Sequence, residues 1–81
     1  MIDMKYSLII EATDNPGFFT FFSPDLEGFS GTGSSADDCI NKAIKGMEEH
    51  IFLLKKLRMP VPKKNPNPTI TIKNAEPAEV R

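Results

Sequence analysis

One segment limits every other choice this chain can make. From Ala36 to Arg58, the residues Ile40, Ala43, Ile44, Met47, Ile51 and Leu54 recur at every third or fourth place. That spacing lays side chains along one stripe of an α-helix. Ser35 stands where an N-cap belongs, with Asp38 at the third helical position, a relative of the capping box with Asp in place of Glu. Asp37 and Asp38 also complement the positive helix start. Met59-Pro60-Val61-Pro62 ends the run, because proline lacks the amide hydrogen and constrains the residue before it. The helix so defined is about 35 Å long at 1.5 Å per residue. No other part of the 81 residues has this period, so the rest must build the layer that covers the stripe.

That layer is legible as strands. In Met4–Thr13, MKYSLIIEAT, residues Met4, Tyr6, Leu8, Ile10 and Ala12 fall on one face, which is the period of a half-buried strand. Asp14-Asn15-Pro16-Gly17 is a turn. Phe18–Ser23, FFTFFS, returns as a second strand and makes a hairpin with the first. Pro24-Asp25-Leu26-Glu27-Gly28 turns again, and Phe29–Gly33 is a short third strand whose glycines mark it as an edge or a bulge. After the helix, KKNPNP is an extended polar link and TITIK, Thr69–Lys73, a last strand with Ile70 and Ile72 facing the core. The expected fold is α+β, in the order β-β-β-α-β, with one mainly antiparallel sheet packed on one long helix. Residues 1–73 form a single domain and 74–81 a flexible tail.

Bulk properties exclude several roles. Ten Lys and Arg against eleven Asp and Glu leave no overall basic footprint for nucleic acid. The one basic cluster, Lys55, Lys56, Arg58, Lys63 and Lys64, reads as a solvated helix end favoured by the helix dipole. One cysteine, Cys39, and one histidine, His50, permit no internal disulfide and make no metal site by themselves. No signal peptide or membrane span is legible, so the expected setting is cytoplasmic, with no membrane contact.

The apolar pattern exceeds what one sheet and one helix can hide. Phe18, Thr20 and Phe22 share one face of the second strand, and Phe19, Phe21 and Ser23 the other, so both faces are partly apolar. Phe52, Leu53 and Leu57 lie off the main helical stripe. Excess of this kind marks a contact surface. The candidate partner or oligomer interface is therefore Phe19, Phe21, Phe29, Phe52, Leu53 and Leu57, and a homodimer or higher oligomer is expected.

Chemistry finds no footing in the same residues. Gly31-Thr32-Gly33 opens toward a helix start, which can bind anions. It lacks the lysine of a phosphate loop and the βαβ setting of a dinucleotide site, and two aspartates follow it. Glu11, Asp14, Asp25, Asp37 and Asp38 each have a turn, hairpin-end or helix-dipole role and no common cleft. His50 is expected on the solvated side of the helix, and Cys39 is expected buried and inert. No catalytic, metal or cofactor residue is assigned.

The ordered motifs SPDLEGFSGTGSSADDCINKAIKGMEEHI and PVPKKNP, behind an aromatic hairpin, resemble the HicB-type antitoxin domain. Pro24, Asp25, Leu26 and Gly28 match that family's PDLPG turn, with Glu27 where proline is common. Thr32, Gly33 and Ser35 match its helix entry, Asp37 and Asp38 its acidic pair, and Pro60 and Pro62 its exit, while Cys39 replaces the usual Ala. The resemblance covers roughly residues 4–73. It implies a partial RNase H-like fold with a degenerate carboxylate set, and a chain that occludes a small HicA-like, mRNA-cleaving toxin by covering its catalytic histidine and RNA surface. The other readings are a solitary HicB-like oligomeric module that binds another protein or RNA, and a residual metal-dependent nuclease. Many such antitoxins carry a further DNA-binding segment. Asn74–Arg81 is too short for one, so direct DNA binding is not expected.

Overall fold

The structure is a computed structural model and describes residues 4–74. Four strands and one helix follow in the order β1 (Leu8–Ala12), β2 (Phe19–Phe22), β3 (Ser30–Gly33), α1 (Ala36–Lys56) and β4 (Ile70–Lys73). The strand order in the sheet is β3-β2-β1-β4. The pairs β1–β2 and β2–β3 are antiparallel, and β4 returns parallel to β1, so the α+β architecture has a mixed sheet. The parallel pair requires a crossover, and α1 with its extended exit supplies it. Of the expected tail, 74–81, all but Asn74 lies outside the described residues.

Period two in the first segment has the anticipated consequence. Met4, Tyr6, Leu8 and Ile10 are buried under the helix, although strand pairing begins only at Leu8. Helix α1 presents Cys39, Ala43 and Met47 to them, with Ile40, Ile44, Ile51 and Leu54 at the margin. Its start matches the sequence signals. Ser35 Oγ accepts a hydrogen bond from the Asp38 amide at 3.0 Å, and the Asp38 carboxylate reaches back to accept from the Ser34 amide at 2.9 Å. That bond, aided by Lys42 at 3.3 Å, holds the Asp38 carboxyl below its ordinary range.

The helix ends earlier than its prolines require. Leu57 is the C-cap and Arg58 takes a left-handed conformation, φ 60°. The Arg58 amide donates to Lys55 O at 3.1 Å and the Met59 amide to Leu54 O at 2.8 Å, the two bonds of a Schellman closure. Arginine in that conformation is strained, because its Cβ crowds the following carbonyl.

Register explains which phenylalanines are core. On β2, Phe21 lies opposite Ile10 on one side and Gly31 on the other, so it shares the inward face with Ile10. A Cβ at Gly31 would sit 2.5 Å from Phe21 Cζ, and one at Gly33 would sit 2.7 Å from Cys39 Sγ. The two glycines let an aromatic ring and the first helical turn lie directly on the edge strand. Phe29, just before β3, packs against Phe21 with ring centroids 5.8 Å apart. Phe21 and Phe29 are thus 5% and 8% exposed, and both belong to the core instead of to the surface expected for them. Phe19 is partly buried against the same cluster. The aromatics of this strand segment left outside are Phe18 and Phe22, on the alternate face.

Ile72 also departs from expectation, at 56% exposed. It lies opposite Ile10, on the helix side of the sheet. Helix α1 packs over β3, β2 and β1, so β4 projects beyond its cover. Ile70, nearer the start of β4, is half-buried.

Candidate interaction surface

The turn at Pro24–Gly28 and the exit after α1 meet in one polar knot. Asp25 Oδ2 accepts from the Ser7 amide at 2.9 Å and from Asn65 Nδ2 at 2.9 Å. Ser7 Oγ accepts from Asn65 Nδ2 at 3.1 Å and from the Thr69 amide at 3.0 Å. The Asn65 amide donates to Lys5 O, and Tyr6 OH donates to Pro62 O at 2.6 Å. Three distant stretches are thereby joined: the approach to β1, the 24–28 turn and the 62–69 strap. Hydrogen bonds from Asn65 and from the Ser7 amide favour the ionised carboxylate and hold the Asp25 carboxyl below its ordinary range. Desolvation, with the Asp25 charge nearby, pushes the Tyr6 phenol up.

Each motif residue of the turn has a local task. Leu26 is fully buried, and its carbonyl accepts from the Phe29 amide. Gly28 adopts φ +82°, a conformation that L side chains rarely take. Pro24 is exposed and ends the aromatic strand. Gly33 seats the helix start, as described above. Of the two carboxylates in this turn, that of Asp25 is held by Ser7 and Asn65, and Glu27 is exposed. Among the described residues no three His, Cys, Asp or Glu side chains gather as a metal set.

His50 and Cys39 differ in how well they match their expected places. Cys39 is fully buried, and desolvation raises its thiol pKa. His50 is half-buried instead of solvated: its ring meets Phe29 edge-on at 5.9 Å, and Nε2 is buried with no hydrogen-bond partner. It stands three residues after Met47 and four before Leu54, at the edge of the buried stripe, and that spacing was the available signal for its partial burial.

The exposed apolar side chains gather chiefly at the far end of α1. Phe52 is 67% exposed, and Leu53, Leu57 and Met59 are at least half exposed. Val61 joins them. Ile51 and Leu54, in the last two turns, still pack against the core, whereas Phe52 and Leu53 stay in solvent. Two hollows flank this tip. Lys5, Glu48, Ile51, Phe52 and Lys55 line one. Leu54, Met59, Pro60, Val61 and Pro62, with Glu27 at its rim, line the other. Lys55, Lys56, Arg58, Lys63 and Lys64 are all exposed around it. Of the six expected interface residues, the structure leaves Phe52, Leu53 and Leu57 exposed at the end of α1, with Phe52 on the side of the Lys5 hollow and about 140° around the helix from Leu57, and takes Phe21, Phe29 and most of Phe19 into the interior. Sequence reasoning missed Met59 and Val61, whose apolar character was overshadowed by the neighbouring prolines. It also missed Phe18 and Phe22, for which the glycines opposite Phe19 and Phe21 were the available signal.

No family model, curated protein or solved structure matches the chain. No helix among the described residues is long and apolar enough to cross a membrane.

Proposed function

We propose that this chain is a HicB-like antitoxin domain of partial RNase H-like topology, which binds a small HicA-like mRNA-cleaving toxin and occludes it. The observation that carries the reading is the apolar tip of α1. A cluster of large side chains at the end of a capped, well-anchored helix marks a surface built for another macromolecule. The motif residues support it from another side. Asp25, Leu26, Gly28 and Gly33 are spent on shaping the turn and seating the helix, which fits a scaffold that acts by shape and charge instead of by carboxylate chemistry.

The test is co-expression with a small basic HicA-like protein encoded beside this chain. The expected result is joint purification and relief of the growth arrest the toxin causes, with Phe52→Asp abolishing both. Arrest that persists at equal expression, with no complex on purification, overturns the reading. Exposure of Phe18, Phe22 and Ile72 favours a second reading, a solitary oligomeric module. Light scattering across a concentration series separates it, since mass must then rise in the absence of any toxin.

A further inference from the structure

We infer that β4 is the edge on which a second copy of this chain docks. The two β4 strands pair antiparallel about a twofold axis at Thr71, with Ile70 of each copy opposite Ile72 of the other. The inference uses none of the α1 tip residues and does not rest on the antitoxin reading.

The sheet guards one of its edges and not the other. Strands β3 and β4 are outermost. An outermost strand presents a row of unpaired backbone groups, a template for a further strand. On β3, the bond from the Ser23 amide to Phe29 O fixes the alternation of the antiparallel ladder and turns the backbone of Ser30 and Thr32 outward. Lys42 Nζ donates to Thr32 O at 3.3 Å, and α1 packs over this strand. A lysine laid on an edge discourages strand addition. On β4, the bond from the Leu8 amide to Thr69 O sets the backbone of Thr69, Thr71 and Lys73 toward β1 and that of Ile70 and Ile72 outward. No lysine, proline or bulge interrupts Ile70–Ile72, and α1 does not cover it.

A second copy is selected because β4 matches itself. Ile72 is 56% exposed on the helix side of the sheet, with half-buried Ile70 beside it. Setting Ile70 opposite Ile72 places an isoleucine next to each isoleucine on that side, with Cβ atoms about 5 Å apart. Thr71 meets Thr71 on the other face, a favourable cross-strand pair. Each Ile70–Ile72 pair exchanges two backbone hydrogen bonds. The alternative with Ile72 opposite Ile72 would set Ile70 against Asn74. Charge agrees with the chosen register. Lys73 falls opposite Thr69 of the other copy. The two Lys73 residues are four positions apart along the strands, about 13 Å at 3.3 Å per residue, beyond the screening length of about 10 Å at 0.1 M salt. Glu11 is the neighbour of Lys73 on β1, so the edge is locally neutral and a copy meets no repulsion, whereas a charged foreign strand finds no opposite charge. Four-residue strands bury little surface, so the dimer is weak and reversible, with a dissociation constant between about 1 μM and 1 mM.

Light scattering of the whole chain from about 10 μM to about 1 mM should show the mass rising from one chain toward two. Ile72→Pro removes an outward amide and spares the ladder to β1, the one place in a sheet where proline is tolerated. It should abolish the rise with circular dichroism unchanged. Ile72→Lys should do the same, and it decides the matter if the proline variant does not fold. Register is read by cross-linking. Thr71→Cys sets two thiols across the axis, where facing Cα atoms stand about 4.5 Å apart, within the roughly 4.4–6.8 Å that a disulfide spans. Native Cys39 is fully buried and does not compete. Under mild oxidation, Thr71→Cys should form a covalent dimer at least about tenfold faster than Lys73→Cys. A mass that stays at one chain at the highest concentration, or equal oxidation of the two cysteine variants, overturns the inference. So does a dimer that survives Ile72→Lys but is lost in Phe22→Asp, which would assign it to the open face of the sheet. The toxin test turns on Phe52 and this one on Ile72, so either can fail without the other.

Discussion

The knot at Asp25 and the tip of α1 are joined by the strap that runs from Arg58 to Thr69, yet they resolve their needs in opposite ways. The knot gathers polar atoms from three parts of the chain and satisfies them internally, through Ser7, Asn65 and Thr69. The tip gathers apolar atoms from one continuous stretch and leaves them in solvent. Polar side chains in a turn of Pro, Asp and Gly invite a search for chemistry, but here they hold the architecture together. The residues left unsatisfied are the hydrophobic ones. A change in the knot should therefore act on folding, and a change in the tip on binding.

The largest effect that sharpens this contrast lies at Leu26. Its side chain is fully buried beside the knot, so Leu26→Ala should destabilise the domain by about 3 kcal/mol through lost burial and a residual cavity. Urea unfolding followed by circular dichroism measures it. A loss below about 1 kcal/mol would mean that the turn is not part of the folding unit. Next comes Asp25→Ala, which removes the acceptor of two hydrogen bonds to an ionised group and leaves the Ser7 amide unpaired, for about 2 kcal/mol.

Acid sharpens the same point. The Asp25 carboxyl titrates below its ordinary value when folded, so the unfolded chain binds its proton more readily. Its contribution is fully present above the unfolded pKa of about 3.9 and is lost as pH falls through the lower folded value. Unfolding midpoints measured from pH 6 down to pH 3 should fall more steeply for the wild-type chain than for Asp25→Ala. Parallel curves would show that the knot is not sensed by folding.

The tip should behave differently. Arg58→Gly relieves the left-handed strain at the helix end and should raise stability by about 1 kcal/mol. Phe52→Asp should change stability by no more than about 0.5 kcal/mol, the range usual for exposed sites, while removing partner binding. A large destabilisation from Phe52→Asp would erase the distinction between the two regions.

Much of the fold was readable from local pattern. The helical stripe, its Ser35 cap, the period-two burial of Tyr6, Leu8 and Ile10, and the glycine turn at Gly28 each depend on residues close in sequence. Phe52, Leu53 and Leu57 were legible for the same reason, since their angular position on the helix follows from spacing alone. The aromatic strand was not. Phe18–Phe22 is apolar on both faces, so period two names two sets of side chains and does not say which one turns inward. Only the pairing of Phe21 with Ile10 and Gly31 decides it.

Spacing along the backbone thus sufficed for this chain to specify its elements, their ends and the greasy end of its helix, because those properties follow from neighbours a few residues away. Three matters waited for the chain to close on itself: the inward turn of Phe21 and Phe29, the exposure of Ile72 on a strand that the helix does not reach, and the use of Asp25 as a clasp for Ser7 and Asn65. Each depends on a contact between residues far apart in sequence, and such contacts are set by how layers overlap, which no local period encodes.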